Sequence, residues 1–577
     1  MRLWGRKASL QLTSAIHPML VGITLTVVCL VAGAAPITDP LVRYGDHHLG
    51  RGNPPKPIYL AGAGFALHLY REELEYRQVL DHYAANGMNC TQFWTCPDVW
   101  DNKNYAWAEK PGSGLGNDGK HQKYDLNTWN PVFWSFVHKV LSYTRDKGLY
   151  VEVSLFDECG IERGSGPGSG NERWLIHPFN PDNNVNGLSL PTGNTDAVPE
   201  FYNVSDPDLL GFQTSYVKKL IAETCHYPNV YYHICNEYTG PWEWARHWID
   251  LIEARCDKLI GANPFTNIDE HLAYPALDIV NYHIFTDRYQ EINSRFTSSW
   301  GRNKPLGSNE PLGHMGAKEN RMHAWTAFVS GAYFNGMDSI ETIPVYEELP
   351  PYLGRLVQFT ETCNFAEMAP NNSLIKSVPS SVKHAFAMSG DIEAVVYMIG
   401  TGGGELVLNL GPGNYVVRWY EPATGVSSVE ISLTATGGIA KLTIPPFKED
   451  HALLIQNRSS AFFSDFTPGG TVDSKTPKCS VSVRGLQHAL DPSSARAEYS
   501  RDGGRTWHPV KARYRRSSVS KKSGVIRARA VPFRQKSDTL NRIRFSIKDV
   551  EGGFSQSPEY QVKIASPVTE NVVPSAR

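Results

Sequence analysis

The sequence predicts an α/β fold, a (β/α)8 barrel followed by two all-β sandwich domains. Three observations carry that expectation. Between Pro57 and Asn364, roughly 300 residues, short apolar runs alternate with longer amphipathic stretches, which is the length and rhythm of an eightfold barrel. Near Leu374 the hydrophobic period falls to two, with Gly and Pro clusters between the runs, as in a β-sandwich. The last segment, 478–566, is again short strands, and its sign of charge differs from the rest.

The elements follow in order. Ile58-Tyr59-Leu60-Ala61 reads as the first strand, 71–85 as a helix and Cys90-Thr91-Gln92-Phe93 as the second strand. Pro131 stands where a helix would begin, because its missing N–H costs nothing in the first turn. That helix runs to Lys147 and the third strand is 149–156. A helix over 208–225 leads into a fourth strand, 230–235. The remaining strands are expected at 265–268, 279–282, 305–308 and 331–334. A doubly wound open sheet is the alternative, but no G-x-G-x-x-G follows the first strand.

The expected organisation is a signal peptide over 1–34, the barrel over 40–370, a sandwich over 371–457 and a linker over 458–477. An immunoglobulin-like basic β domain over 478–566 and a flexible tail over 567–577 complete it. Arg2, Arg6 and Lys7 precede an apolar run from Met19 to Val31, and Ala32-Gly33-Ala34 supplies the small residues of a cleavage site. The run is too short for a bilayer, so the mature chain is expected to be secreted or periplasmic with no membrane span. Eight cysteines from Cys90 to Cys479 would then be open to disulfide formation, and Cys90 with Cys96 is a plausible local pair.

With 577 residues, 41% hydrophobic and 11% aromatic, the chain has ample apolar surface for several cores, which excludes disorder as its main theme. The net charge of -2 hides a cancellation. From Asp465 to Arg577 there are 21 Lys and Arg against 10 Asp and Glu, so an acidic body carries a basic tail. Attraction to an anionic polysaccharide or cell surface suits that tail. Nucleic acid does not, given export and the scatter of its Arg and Lys among strands. Ser500-Arg501-Asp502-Gly503-Gly504-Arg505-Thr506-Trp507 resembles the Asp-box hairpin of sialidase-like propellers, but it occurs once, which fits a tight turn rather than repeated blades.

In a (β/α)8 barrel the chemistry sits at the C-terminal ends of the strands. The fourth strand ends in Asn236-Glu237-Tyr238 and the seventh in Ser308-Asn309-Glu310-Pro311. Two carboxylates entering one mouth from opposite sides suit glycosidic-bond cleavage, one protonating the leaving oxygen and the other attacking the anomeric carbon or activating water. Other polar strand-end residues are candidate sugar contacts: Asp157 and Glu158 after the third strand, Asp269, Glu270 and His271 after the fifth, Asp338 and Glu341 after the eighth. Trp94 and Trp242 are candidate stacking platforms or rim covers. No H-E-x-x-H, G-x-S-x-G or H-x-H ligand cluster appears, so no metal and no cofactor is implied.

The Asn-Glu pair at strand four and the Glu at strand seven resemble glycoside hydrolases of clan A. That resemblance implies Glu237 as acid/base, Glu310 as retaining nucleophile and Asn236 as a hydrogen-bond donor to the sugar 2-hydroxyl. It also implies that Tyr282 or His283, after the sixth strand, orients the nucleophile. Gln92-Phe93-Trp94 and Tyr333-Phe334-Asn335-Gly336 stand where many clan members have an Arg and a Trp, which leaves the sugar subsite open. More narrowly, Gly390-Asp391-Ile392-Glu393-Ala394, Trp419-Tyr420-Glu421-Pro422-Ala423-Thr424-Gly425 and Pro445-Pro446-Phe447 look like apiosidase-like barrels joined to a β-sandwich named for collagen binding. The resemblance spans roughly 57–456. The expected partner is an oligo- or polysaccharide, and a non-catalytic carbohydrate-binding barrel is the alternative.

Overall fold

A computed structural model describes residues 35–565, except 65–75, 96–104, 162–172, 193–197, 285, 310, 312–315, 337–342, 412, 436–437, 458–460, 469–470, 475, 486–487, 519, 521, 534–539, 551–553 and 558. The expected signal peptide and the tail from 567 lie outside the described residues, as do Glu310, Asp338 and Glu341. Among the described residues no helix is long and apolar enough to cross a membrane.

Eight parallel strands close into a barrel: β1 (Ala61–Ala63), β2 (Cys90–Trp94), β3 (Tyr150–Asp157), β4 (Val230–Asn236), β5 (Ile260–Ala262), β6 (Ile279–Tyr282), β7 (Leu306–Asn309) and β8 (Ala332–Gly336). Closure is made by β8 on β1, with Phe334 opposite Ala61. The join of β1 to β2 rests on Gly62, where a Cβ would stand 1.9 Å from the Cys90 carbonyl oxygen. Only glycine permits that approach.

Helices follow the strands: α1 (Tyr76–Ala85), α2 (Pro131–Asp146), α3 (Pro207–Thr224), α4 (Trp242–Glu253), α5 (Ile268–Ala273), α6 (Tyr289–Ser299), α7 (Ala317–Val329) and α8 (Ile343–Thr360). Their starts are encoded locally. Asn130 caps α2, its side chain accepting from the Val132 N–H, with Pro131 in the first turn. Asp206 does the same for α3 ahead of Pro207. α3 then buries Leu209, Tyr216, Val217, Leu220 and Ile221 against the barrel, each contributing about 1.5–3 kcal/mol.

Two expectations change. The fifth strand is Ile260–Ala262, not 265–268, because Ile260, Gly261 and Ala262 are buried and pair with β4 and β6. Phe265 belongs to the loop beyond, part exposed and donating its N–H to the Tyr238 carbonyl. The pairing of Cys90 with Cys96 also fails, since Cys90 is a free thiol inside the barrel wall. Among the described residues the disulfide is Cys225–Cys256, joining the C-terminal end of α3 to the chain after α4.

The barrel interior is polar along its axis. Glu152 on β3 accepts from Asn281 Nδ2 at 2.7 Å and Asn335 Nδ2 at 3.4 Å. Burial pushes its carboxyl up to about 7, against hydrogen bonds from Asn335, Asn281 and Tyr231 that favour ionisation. Gly307 makes room for this network, because a Cβ there would meet Asn281 Oδ1 at 2.0 Å. One layer up, Ser154 Oγ lies 2.8 Å from His233 Nδ1 and accepts from Gln92. A three-stranded antiparallel sheet, Leu41–Tyr44, His48–Arg51 and Lys56–Ile58, covers the floor, with Leu49 lining the same small cavity as Glu152.

The central sandwich has a seven-stranded sheet facing a three-stranded one. Alternation divides its larger sheet between two cores. Val396, Met398, Trp419, Leu453 and Ile455 face the smaller sheet. Val395, Tyr397, Ile399, Tyr420 and Leu454 join the barrel core through α7 and α8. Trp325 of α7 stacks on Tyr397 at 5.5 Å, and buried Arg321 forks onto Asp450. Trp419 and Tyr420 are therefore core residues, while Thr424 and Gly425 close a tight turn onto the Glu421 carbonyl.

The C-terminal unit has its own core, including Val481, Ile526, Ile543 and Phe545. Its first strand is Ala461–Thr467, paired with Cys479–Gly485, so part of the stretch expected as a linker is sheet. Thr471–Val472 also pairs, with Lys563–Ile564. The Asp-box stretch is one hairpin turn: Asp502 accepts from the Arg505 and Thr506 N–H groups, and Trp507 lies under Arg544 at 4.1 Å.

Candidate active site

The C-terminal ends of β3 and β4 meet in a cluster of buried polar side chains. Asn236, the last residue of β4, donates from Nδ2 to Asp157 Oδ1, the last residue of β3, at 3.3 Å. Glu237 follows in the left-handed backbone region, φ 52°. A non-glycine residue there is strained, and such strain persists where surrounding contacts enforce it. The enforcing contact is Asn263, just past β5, whose Oδ1 accepts the Glu237 N–H at 3.1 Å. Asn263 also accepts the Tyr238 N–H on its carbonyl and donates Nδ2 to the Asn281 carbonyl, tying the ends of β4, β5 and β6 together.

This turn presents the Glu237 carboxylate to His283. Nδ1 of His283 lies 3.3 Å from Glu237 Oε1, with the imidazole side chain fully buried and the carboxylate 28% exposed. The histidine is held from behind by Phe265, edge-on at 5.6 Å. Below it sits His233, whose basicity burial and the neighbouring His283 lower to about 3. A neutral imidazole is therefore what underlies the site. Glu158, buried beside Asp157, accepts from both the N–H and the hydroxyl of Thr239, which fixes the loop after Glu237. A hollow of about 440 Å³, bordered by Tyr202, Thr239 and Asn267, opens next to it.

On the opposite wall β7 ends at Asn309, so Glu310 is the first residue past that strand, although its own placement lies outside the described residues. Asn309 is buried with neither amide atom partnered among the described residues, and Asn236 Oδ1 is likewise unpartnered. Buried orphan amides at strand ends are groups that a bound hydroxyl-rich ligand or water would satisfy. Behind β7, His323 of α7 meets Ser308 Oγ at 2.8 Å.

Of the residues singled out in the sequence, Asn236, Glu237, Asp157 and His283 come together, and Glu158 adjoins them. Trp94 ends β2, largely buried and register-paired with Ser154 of β3. Tyr282 does not join the site. It points outward, hydroxyl 2.8 Å from Ser299 Oγ of α6, because successive residues of β6 face opposite sides and Asn281 faces in. His271 is not at a strand end but on α5, buried, its Nδ1 2.7 Å from the Asn267 carbonyl. Trp242 caps it edge-on at 4.8 Å and packs on Tyr274, so it serves the outer helix layer. Asp269 pairs with Arg302 at the surface and Glu270 is exposed. Asn263 was missed because the fifth strand was placed five residues too late to show it as a strand-end residue.

Fold and site together define a (β/α)8 barrel with polar groups gathered at its C-terminal mouth. A family model described as a domain of unknown function (DUF6298) matches residues 96–262, a span that includes β3, β4 and Glu237. No curated protein matches. Among solved structures, a presumed glycoside hydrolase from Bacteroides vulgatus is similar with TM-score 0.53 at 11% identity, over 73% of this chain and 82% of that one. The noncanonic maltogenic alpha-amylase AmyB from Thermotoga neapolitana gives TM-score 0.44 at 10% identity, over 68% and 98%. The first likeness agrees with the barrel-plus-sandwich fold, and the second is too distant to add to it.

Proposed function

We propose that this chain is a retaining glycoside hydrolase acting on a plant, algal or microbial polysaccharide. The observation that carries the reading is Glu237, fixed in a strained turn at the barrel mouth against buried His283. In the first step the Glu310 carboxylate attacks the anomeric carbon as the Glu237 carboxylic acid protonates the departing oxygen, leaving a glycosyl ester on Glu310. In the second, ionised Glu237 takes a proton from water, whose oxygen displaces Glu310 from the sugar. His283 orients Glu237, while Asn236 binds the neighbouring hydroxyl. The resemblance to apiosidase-like barrels joined to a sandwich named for collagen binding supports this reading. The Bacteroides vulgatus protein's description agrees with it.

The same proposal places the mature protein outside the cytoplasm. A disulfide between Cys225 and Cys256 supports that placement, since such bonds persist in oxidising compartments. The basic C-terminal unit acts in attachment to an anionic polysaccharide or cell surface. Screening the mature protein on plant and algal glycans, with the product anomer followed by NMR, tests the enzyme. Glu310→Ala should abolish turnover, and azide should restore a glycosyl azide product to Glu237→Ala on an aryl glycoside. Near-native turnover by either variant, or initial release of the inverted anomer, would reject the assignment.

A further inference from the structure

One face of the C-terminal unit carries arginines that the fold does not neutralise. Its outer sheet sets Ala461–Thr467, Cys479–Gly485, Ser523–Ala528 and Ala512–Arg516 side by side. Val481, Val483, Ile526 and Ala528 enter the core, so Ser482, Arg484, Ser523 and Arg527 face outward. The register then puts Arg513 directly opposite Arg527, with Arg515 two residues further along. Like charges opposed across an antiparallel pair, ~5 Å apart, destabilise a sheet. Among the described residues, Arg513, Arg515, Arg516 and Arg527 form no salt bridge or hydrogen bond through their side chains. Arg484 alone of this face is neutralised, by Asp391 of the central sandwich, and that pair closes one side of a groove of about 660 Å³.

We infer that this groove, lined by Arg484, Arg515, Arg516 and Arg527 with the hydroxyls of Ser482 and Ser523, binds an acidic polysaccharide through its carboxylate or sulfate groups. Guanidinium forks bind such oxyanions in a bidentate manner, and an ammonium cannot. The flanking hydroxyls suit sugar hydroxyls. Among the described residues no aromatic side chain lines the groove, so the stacking platform a single-stranded nucleic acid would use is lacking there. A lipid surface is flat, and its headgroups would meet the rims of a recess rather than its floor. The inference rests on the attachment reading of the basic unit and is independent of the glycosidase chemistry.

The test is affinity electrophoresis of the full chain in gels containing polygalacturonate, carrageenan or neutral galactomannan. Retardation is expected in at least one acidic gel, falling with added salt, and none in the neutral gel. Arg515→Gln with Arg527→Gln should weaken it on the order of tenfold or more. Arg515→Lys with Arg527→Lys should show an intermediate loss, and it serves as the reporter if the glutamine pair does not fold by circular dichroism. Retention that survives both pairs would remove this groove while keeping the attachment reading. Absence of retention in both acidic gels would remove both. Pelleting with phosphatidylglycerol vesicles that the same pairs abolish, without retention by glycans, would overturn the choice of ligand.

Discussion

Replacing Glu152 with Gln should make the protein more stable at pH 8 and leave it nearly unchanged near pH 4. Burial pushes the Glu152 carboxyl from its ordinary 4.5 up to about 7 in the folded chain. Between those values the unfolded chain releases a proton that the folded chain still holds, so stability falls as pH rises through that window. The full difference is about 3 kcal/mol above pH 7, from ~1.4 kcal/mol for each tenfold change in proton affinity. Glutamine cannot ionise, so the variant escapes the loss. Its geometry can be accommodated: Asn281 Nδ2 still finds an acceptor, and Asn335 Oδ1, unpartnered among the described residues, can take the new amide N–H after a flip of Asn335. Urea unfolding of both proteins at pH 4.5 and pH 8 checks this, with the gap in midpoint expected at pH 8. A glutamine variant equally destabilised at both pH values would refute the reasoning. It would mean that Glu152 is held ionised by its partners instead of neutralised by burial.

Three further outcomes are expected. Glu237→Gln should lower kcat by about 10²–10⁴ on substrates with poor leaving groups and far less on activated aryl glycosides, read by steady-state kinetics. His283→Ala should reduce kcat on the order of 10²-fold with little change in KM, since it positions Glu237 and does not supply most of the substrate binding. An unchanged kcat and pH profile would remove it from that role. Cys225→Ser should cost about 3–4 kcal/mol, the loop entropy of a 31-residue separation, and a reducing agent should lower the wild-type melting midpoint without moving the variant's.

The barrel was legible where its strands are long apolar runs. Val230–Asn236 and Tyr150–Asp157 are buried along their whole length, so the reading needed no register. β5 was not, because Ile260–Ala262 is three residues long and its middle one is glycine, a pattern that local propensity cannot separate from a loop. One misplaced strand then carried a chain of errors, assigning His271 to the mouth and hiding Asn263. The choice between Tyr282 and His283 was open for a different reason. Two adjacent strand residues face opposite sides, and which one faces inward depends on a register set by the neighbouring strands. Asn281 reaches across to Glu152, which turns Tyr282 outward and lets His283, beyond the strand end, return to the mouth, where its described contact is with Glu237; the expected contact with Glu310 lies outside the described residues.

The same register accounts for residues that looked like interruptions in otherwise apolar runs. Gln92, Glu152, Ser154, His233, Asn281 and Asn335 come from five strands, yet they meet in successive layers inside one barrel. Each would be an unsatisfied buried polar group on an isolated strand, at a cost of about 1–3 kcal/mol. Closure of the sheet supplies most of their partners at once. This makes the polar axis a condition on barrel geometry: shifting any of these strands by one residue would turn its polar member outward into the apolar helix layer and break bonds on two neighbouring strands. The mouth inherits that precision. Glu237 lies one residue beyond Asn236 and four beyond His233, so the bonds that lock β4 in register also set where the carboxylate emerges.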